Sequence, residues 1–141
     1  GASEKLTYDM GKNKLNVDGL IVADRITTEG KFKCEGSVYK RIIKTDSPNY
    51  VVADDDYTIL CDTVKNKVTV ELPPACNNTG RILIIKKVNT DKYSIKSEPI
   101  DIVVKDSVID RKDIMTIKMN YSSRMLQSDG ENWWSIGLSG T

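Results

Sequence analysis

The chain has 141 residues, with 21 Lys and Arg against 20 Asp and Glu, a formal net charge of +1 and no histidine. That length suits one ordinary domain or a small domain with an appendage, and the interspersed charges leave no electrostatic footprint for nucleic acid or an anionic membrane. Without imidazole, Ser-His-Asp, Cys-His and His-ligated zinc chemistry are excluded, so the composition leans toward a binding or structural module, with only carboxylate or lysine catalysis left open.

The first predicted element is a hairpin in "LTYDMGKNKLNVDG", where Leu6 and Tyr8, then Leu15 and Val17, flank a polar Gly-Lys-Asn turn. Next comes "GLIVADRITTEGKFKCEGSVYKR", in which Leu20, Ile26, Phe32 and Val38 are each six residues apart and Gly30 and Gly36 share the step. A six-residue period is neither that of a helix nor that of a long flat strand. It suits short extended segments separated by tight bends, with one apolar side chain per step facing a common axis. Four apolar side chains are too few to offset the ordering of such a ribbon. The pattern therefore implies identical chains wound about one axis, which share the stripe and satisfy each other's backbone groups. The competing reading is chance spacing in a loosely ordered linker. Ser47-Pro48 is the expected boundary, because a residue before proline is driven out of helical geometry. This gives a β-structured stalk over 1–47 and a head over 48–141.

The second region reads as all strand. "KVTVEL" alternates strictly, with Val68, Val70 and Leu72 on one face. "IMTIKMNY" places Met115, Ile117, Met119 and Tyr121 on one face, and "YTILCD" places Tyr57, Ile59 and Cys61 together. "RILIIKKV" is a continuous apolar run, the pattern of a strand covered on both faces. "YSIK", "IDIVV", "RMLQS" and "WWSIGL" are shorter candidates. Turn chemistry separates them, from Asp54-Asp55-Asp56 to Asp129-Gly130. The spacing predicts an antiparallel β-sandwich or barrel.

Cys34, Cys61 and Cys76 form no CxxC pair and are not a disulfide framework, which fits assembly in a reducing compartment. No apolar run approaches the roughly 20 residues that span a bilayer. The opening "GASEKL" reads as the front of a fragment, so native targeting is not judged from it.

The stretch "DDDYTILCDTVKNKVTVELPPACNNTGRILIIKKVN", closed by "LQSDGENWW", resembles the C-terminal head or neck modules of bacteriophage tail fibres and of fibre-like virion proteins of large DNA viruses. The shared phrases fall at Asp56 to Ile59, Thr69 to Pro73, Gly80 to Lys87 and Ser128 to Trp133. The six-residue region is similar to the repetitive stalks that precede such heads. The resemblance implies a parallel homotrimer, intertwined in the stalk and carrying β-rich heads on the virion surface. It also implies attachment to a host-cell receptor, a glycan among the candidates, with other virion proteins joined through a preceding N-terminal part. No enzyme activity, cofactor, metal, nucleic acid or membrane insertion is implied. A purely architectural trimerisation module without receptor binding is the alternative. A carboxylate hydrolase built across the trimer is a third reading, but no Asp or Glu pair stands out for it.

Leu20, Ile26, Phe32 and Val38 are thus the candidate trimer axis, and Trp133 is a candidate ligand or subunit contact. By alternation Trp134 would join Ile136 and Leu138 in the core, leaving Trp133 with Ser135 and Gly137 on the other face. An exposed Trp133 would be either a sugar platform or a contact to a neighbouring subunit. "ADDDY" allows at most Asp54 and Asp56 to converge on a cation, and is otherwise a turn. In "GRILIIKK", Arg81, Lys86 and Lys87 read as strand-end and rim charges rather than an anion cradle. Asn77 and Asn120 match the glycosylation acceptor pattern, but no weight is placed on them.

Overall fold

A computed structural model of the chain describes residues 6–95 and 97–137. It divides into two compact units, residues 1–38 and 39–141.

In the first unit, β1 (Leu6–Asp9) and β2 (Lys14–Val17) form the expected antiparallel hairpin, with Leu6 opposite Val17 and Tyr8 opposite Leu15. The turn is closed by Asn13, at φ 50°, whose side chain accepts from the Tyr8 hydroxyl. The Lys12 N–H donates to Asp9 Oδ1 at 3.1 Å. Residues 18–38 then run on without strand or helix, bending at Gly19, Asp24, Glu29-Gly30 and Gly36. The last three of these bends recur with the apolar period, so Ile26, Phe32 and Val38 each sit two residues beyond a bend, while Leu20 directly follows Gly19. Leu20 is 86% exposed, Ile26 67%, Phe32 72% and Val38 59%.

The second unit is a two-sheet β structure. Its strands are β3 (Ile42–Thr45), β4 (Asn49–Val51), β5 (Thr58–Asp62), β6 (Val68–Leu72), β7 (Ile82–Val88), β8 (Ile100–Val104), β9 (Ile114–Ile117), β10 (Ser123–Ser128) and β11 (Trp133–Ser135). One sheet has the order β11-β10-β7-β5-β3 and the other β4-β6-β8-β9. From β3 to β8 the chain changes sheet at every connection. Each sheet therefore pairs alternate strands, and β3–β5, β5–β7, β4–β6 and β6–β8 are all parallel. The result is three coils of a flattened solenoid, closed by antiparallel β9 on one sheet and β10–β11 on the other.

This corrects two expectations. The head is not an antiparallel sandwich, because turn residues mark a change of direction whether the chain reverses within a sheet or crosses to another. The boundary also moves from 47/48 to 38/39, since Ile42–Thr45 pairs with Thr58–Cys61 and belongs to the head. Pro48 lies in the corner between β3 and β4, inside the first coil. Of the shorter candidates, "YSIK" gives no strand over Tyr93–Ile95; Lys96 lies outside the described residues.

Period-2 alternation supplies the core. Ile59, Cys61, Leu83, Ile85 and Leu126 point inward from the five-stranded sheet, and Val68, Val70, Leu72, Ile100, Ile102 and Ile117 from the four-stranded sheet. All pack into one cluster with Val52, Ala75, Ile109 and Trp133. In "IMTIKMNY" the strand stops at Ile117, and Met119 and Tyr121 are exposed.

Two turns are held tightly. Asp56, expected as a loop carboxylate, is buried: its Oδ2 accepts from the Tyr50 hydroxyl at 2.7 Å and the Ala53 N–H at 2.8 Å. Arg81 clamps the same turn, donating to the Ala53 and Asp56 carbonyls at 2.6 and 3.2 Å. Burial, then the bond and charge of Asp56, push the Tyr50 hydroxyl up to about 12. The β10–β11 turn needs Gly130, which has φ +95° and whose added Cβ would lie 2.6 Å from Thr79 Oγ1. Gly80, at φ +82°, has open space instead. Gly130→Ala should therefore destabilise the head by about 2 kcal/mol or more, and Gly80→Ala by about 1 kcal/mol, the strain of positive φ alone. Denaturant unfolding of the two variants checks the order.

Candidate assembly surface

The outer face of the five-stranded sheet is unusually apolar. Strand register aligns Ile42, Thr58, Ile84, Met125 and Ile136 in one row across all five strands. Ile82, Gln127 and Trp134 form the row on one side, and Lys44, Leu60, Lys86 and Ser123 the row on the other. Ile42, Met125 and Ile136 are exposed, while Leu60, Ile82, Ile84 and Trp134 are half-buried. A sheet face left to water normally carries polar residues at these positions. Here the two apolar rows hold no charged residue, and lysines begin only in the third.

The four-stranded sheet differs. Asn49, Thr69, Asp101 and Thr116 form one outer row, and Val51, Glu71, Val103 and Ile114 the next. Lys67 pairs with Asp101, which also accepts from the Thr116 hydroxyl at 2.8 Å, and Lys105 reaches Glu71 at 3.1 Å. Burial pushes the Asp101 carboxyl up. The Lys67 and Thr116 hydrogen bonds and the Lys67 charge together outweigh this and hold it below the usual carboxylate range. The two carboxylates of this face are thus paired with lysines, while Val51 and Ile114 in the second row are exposed.

The tryptophans are placed the opposite way round from the sequence expectation. Trp133 is fully buried in the core of its own chain, with Nε1 donating to the Pro73 carbonyl at 3.0 Å. Trp134 lies half-buried on the outer face, with Nε1 donating to Asp129 Oδ2 at 2.7 Å. Hydrogen bonds from the Asn132 and Glu131 backbone, then from Trp134, hold the Asp129 carboxyl low. The alternation is correct but its phase is reversed. Small Ser135 lies on the inner side with Trp133, opposite buried Leu126, rather than on an open outer one. Trp133 is therefore not available as a ligand or subunit contact, and the aromatic on the outer face of the five-stranded sheet is Trp134. Leu138, expected beside Trp134, lies outside the described residues.

The remaining candidates resolve into structural roles. Asp54 is exposed while Asp56 is engaged in its turn, and among the described residues no three His, Cys, Asp or Glu side chains gather as a metal site. In a cleft lined by Asp46, Asp62, Thr90 and Asp91, two of the carboxylates are engaged in local turns: Asp62 accepts from the Val64 N–H and the Thr90 hydroxyl, and Asp91 from the Tyr93 N–H. Lys86 donates to the Tyr121 carbonyl at 2.7 Å. Lys87 is not a rim charge; it is buried in the core wall. Burial lowers its ammonium below the usual lysine range, against the raising charge of Glu98. Cys61 is buried, which pushes its thiol up to about 12, whereas Cys34 and Cys76 are exposed. The continuous apolar run "RILIIKKV" already implies apolar residues on both faces of its strand, Ile82 and Ile84 outside and Leu83 and Ile85 inside; what spacing alone does not give is that register continues the outer side to Ile42 and Met125.

Comparison with protein-family models and with curated proteins finds no match for this chain.

Asp101 gives a pH prediction. Its folded value lies below the unfolded one, so its contribution is fully present above the unfolded carboxylate value near 4 and is lost as pH falls through the folded value. Asp101→Asn should lower stability at neutral pH and flatten the acid limb of the stability profile, read by urea unfolding from pH 7 downward.

Proposed function

We propose that this chain is a segment of a virion fibre: a parallel homotrimer with a wound stalk and β-solenoid heads, which displays a host-attachment surface. The observation that carries the reading is that each unit has its own uncovered apolar surface. In the first unit it is the six-residue stripe, whose four side chains are all more than half exposed and coincide with recurring bends. In the second it is the outer face around Ile84 and Met125. Contiguous apolar surface of this kind marks an interface. Three copies about one axis would bury both.

On this reading the stalk is residues 1–38 and folding is coupled to trimerisation. The loops at the solenoid rim carry attachment, with a glycan or other cell-surface group as the target. Three weak sites on one axis, and several fibres on one particle, give avidity without a tight single contact. No catalysis is proposed, and the place of action is the virion surface. The architectural alternative keeps the trimer and gives host recognition to another virion protein.

Phe32→Asp places a carboxylate from each chain at the stripe, where an unpaired buried charge costs several kcal/mol. Sedimentation should show that variant dissociated, and a normal trimer would remove the axial role of the stripe. Labelled wild-type trimer should bind susceptible cells and a subset of an immobilised glycan array. Consistent absence of binding to cells would leave the architectural reading.

A further inference from the structure

The buried lysine is an independent feature of the head. Lys87 ends the inward row of β7, and its Nζ lies 2.5 Å from Ser97 Oγ, 3.0 Å from the Lys118 carbonyl and 2.8 Å from Asn120 Oδ1. Ser97 Oγ in turn donates to the same Asn120 Oδ1 at 2.8 Å and lies 3.0 Å from the buried Thr63 hydroxyl. A well-packed apolar side chain at this position would serve stability as well as a desolvated ammonium does. The arrangement therefore asks for a further role, and it has the parts of an acyl transfer: an amine shielded from water, a carboxamide within reach, and a hydroxyl on the carboxamide oxygen.

We propose that Lys87 and Asn120 form an intramolecular isopeptide bond. The neutral Nζ attacks Asn120 Cγ while the Ser97 hydroxyl stabilises the charge that develops on Oδ1. The Cγ–Nζ bond forms, the Cγ–Nδ2 bond breaks, and Nδ2 departs as ammonia. Counted from the ammonium form, the products are one amide and one ammonium ion, and no oxidant or other reactant is needed. The proton that the ammonium gives up is carried away on the departing ammonia. Burial, which lowers the ammonium, favours the neutral amine that attacks. Asn120 is only half-buried, so ammonia has an exit. The bond would tie β7 to the β9–β10 connection across a sequence separation of 33 residues, a covalent brace between the last coil and its cap. It depends on the head alone and not on the fibre reading.

Intact-mass spectrometry of the purified full chain tests it. The wild type should be lighter than its sequence mass by one ammonia, and tryptic digestion should give a branched peptide carrying both Lys87 and Asn120. Asn120→Ala and Lys87→Arg should restore the unmodified sequence mass. Ser97→Ala, which removes the positioning hydroxyl, should slow the mass loss during refolding while the slower product still carries the branch. Folded wild type at its full sequence mass would overturn the proposal, whatever the variants do. A mass loss located in a linear peptide, as a succinimide at an asparagine, would overturn it equally.

Discussion

The head depends on one constraint: between Ile42 and Val104, each strand hands the chain to the opposite sheet. Strands adjacent in sequence then never pair, and parallel ladders between alternate strands are the outcome. Each inner face receives every second residue of three stacked strands, which is why Ile59 and Cys61 lie beside Leu83, Ile85 and the buried Lys87. Stacked coils leave terminal edges that must be closed. At the far end β9, β10 and β11 close both sheets with antiparallel strands, and the Asp129-Gly130 turn makes the last reversal possible. At the other end β3 and β4 each have a single strand neighbour.

The same stacking sets the outward rows. Because the coils are in register, apolar residues at matching outward positions add up across the sheet instead of standing alone. Ile84 and Met125 belong to such a row, continued by Ile42 and Ile136. On the four-stranded sheet the comparable positions hold Asp101 and Glu71, each matched by a lysine. The two outer faces therefore differ in charge: the apolar rows of the first carry none, whereas on the second the paired Asp101 and Glu71 stand among exposed Val51 and Ile114. That asymmetry supports the proposal of an assembly, as does the exposed stripe in residues 20–38.

Much of the fold was legible in local patterning. The hairpin, the inner faces of β5 and β6 and the period of the bends follow from spacing that adjacent residues dictate. Sheet identity did not follow, because Lys65-Asn66 or Pro73-Pro74 turns the chain equally well within a sheet or between two. Of the two Asp-Gly signals, Asp129-Gly130 marks a true reversal, at β10–β11, while Asp18-Gly19 leads into the strandless residues 20–38. Trp133 and Trp134 show a second limit. Alternation assigns neighbours to opposite faces but leaves the phase open, and only Ser128 paired with Trp133 fixes it. Lys87 shows a third, since a Lys-Lys pair at a strand end looks the same whether one ammonium is buried or both are in water. Its partners Ser97, Lys118 and Asn120 are brought to it only by the folded connections on either side of β8 and β9.

The central claim is that two separate apolar surfaces exist because three copies cover them. Multi-angle light scattering of the purified chain across a dilution series tests this most directly. The account predicts a stable species of three times the 15.8 kDa chain mass that persists on dilution. A stable, folded monomer at the chain mass would contradict it.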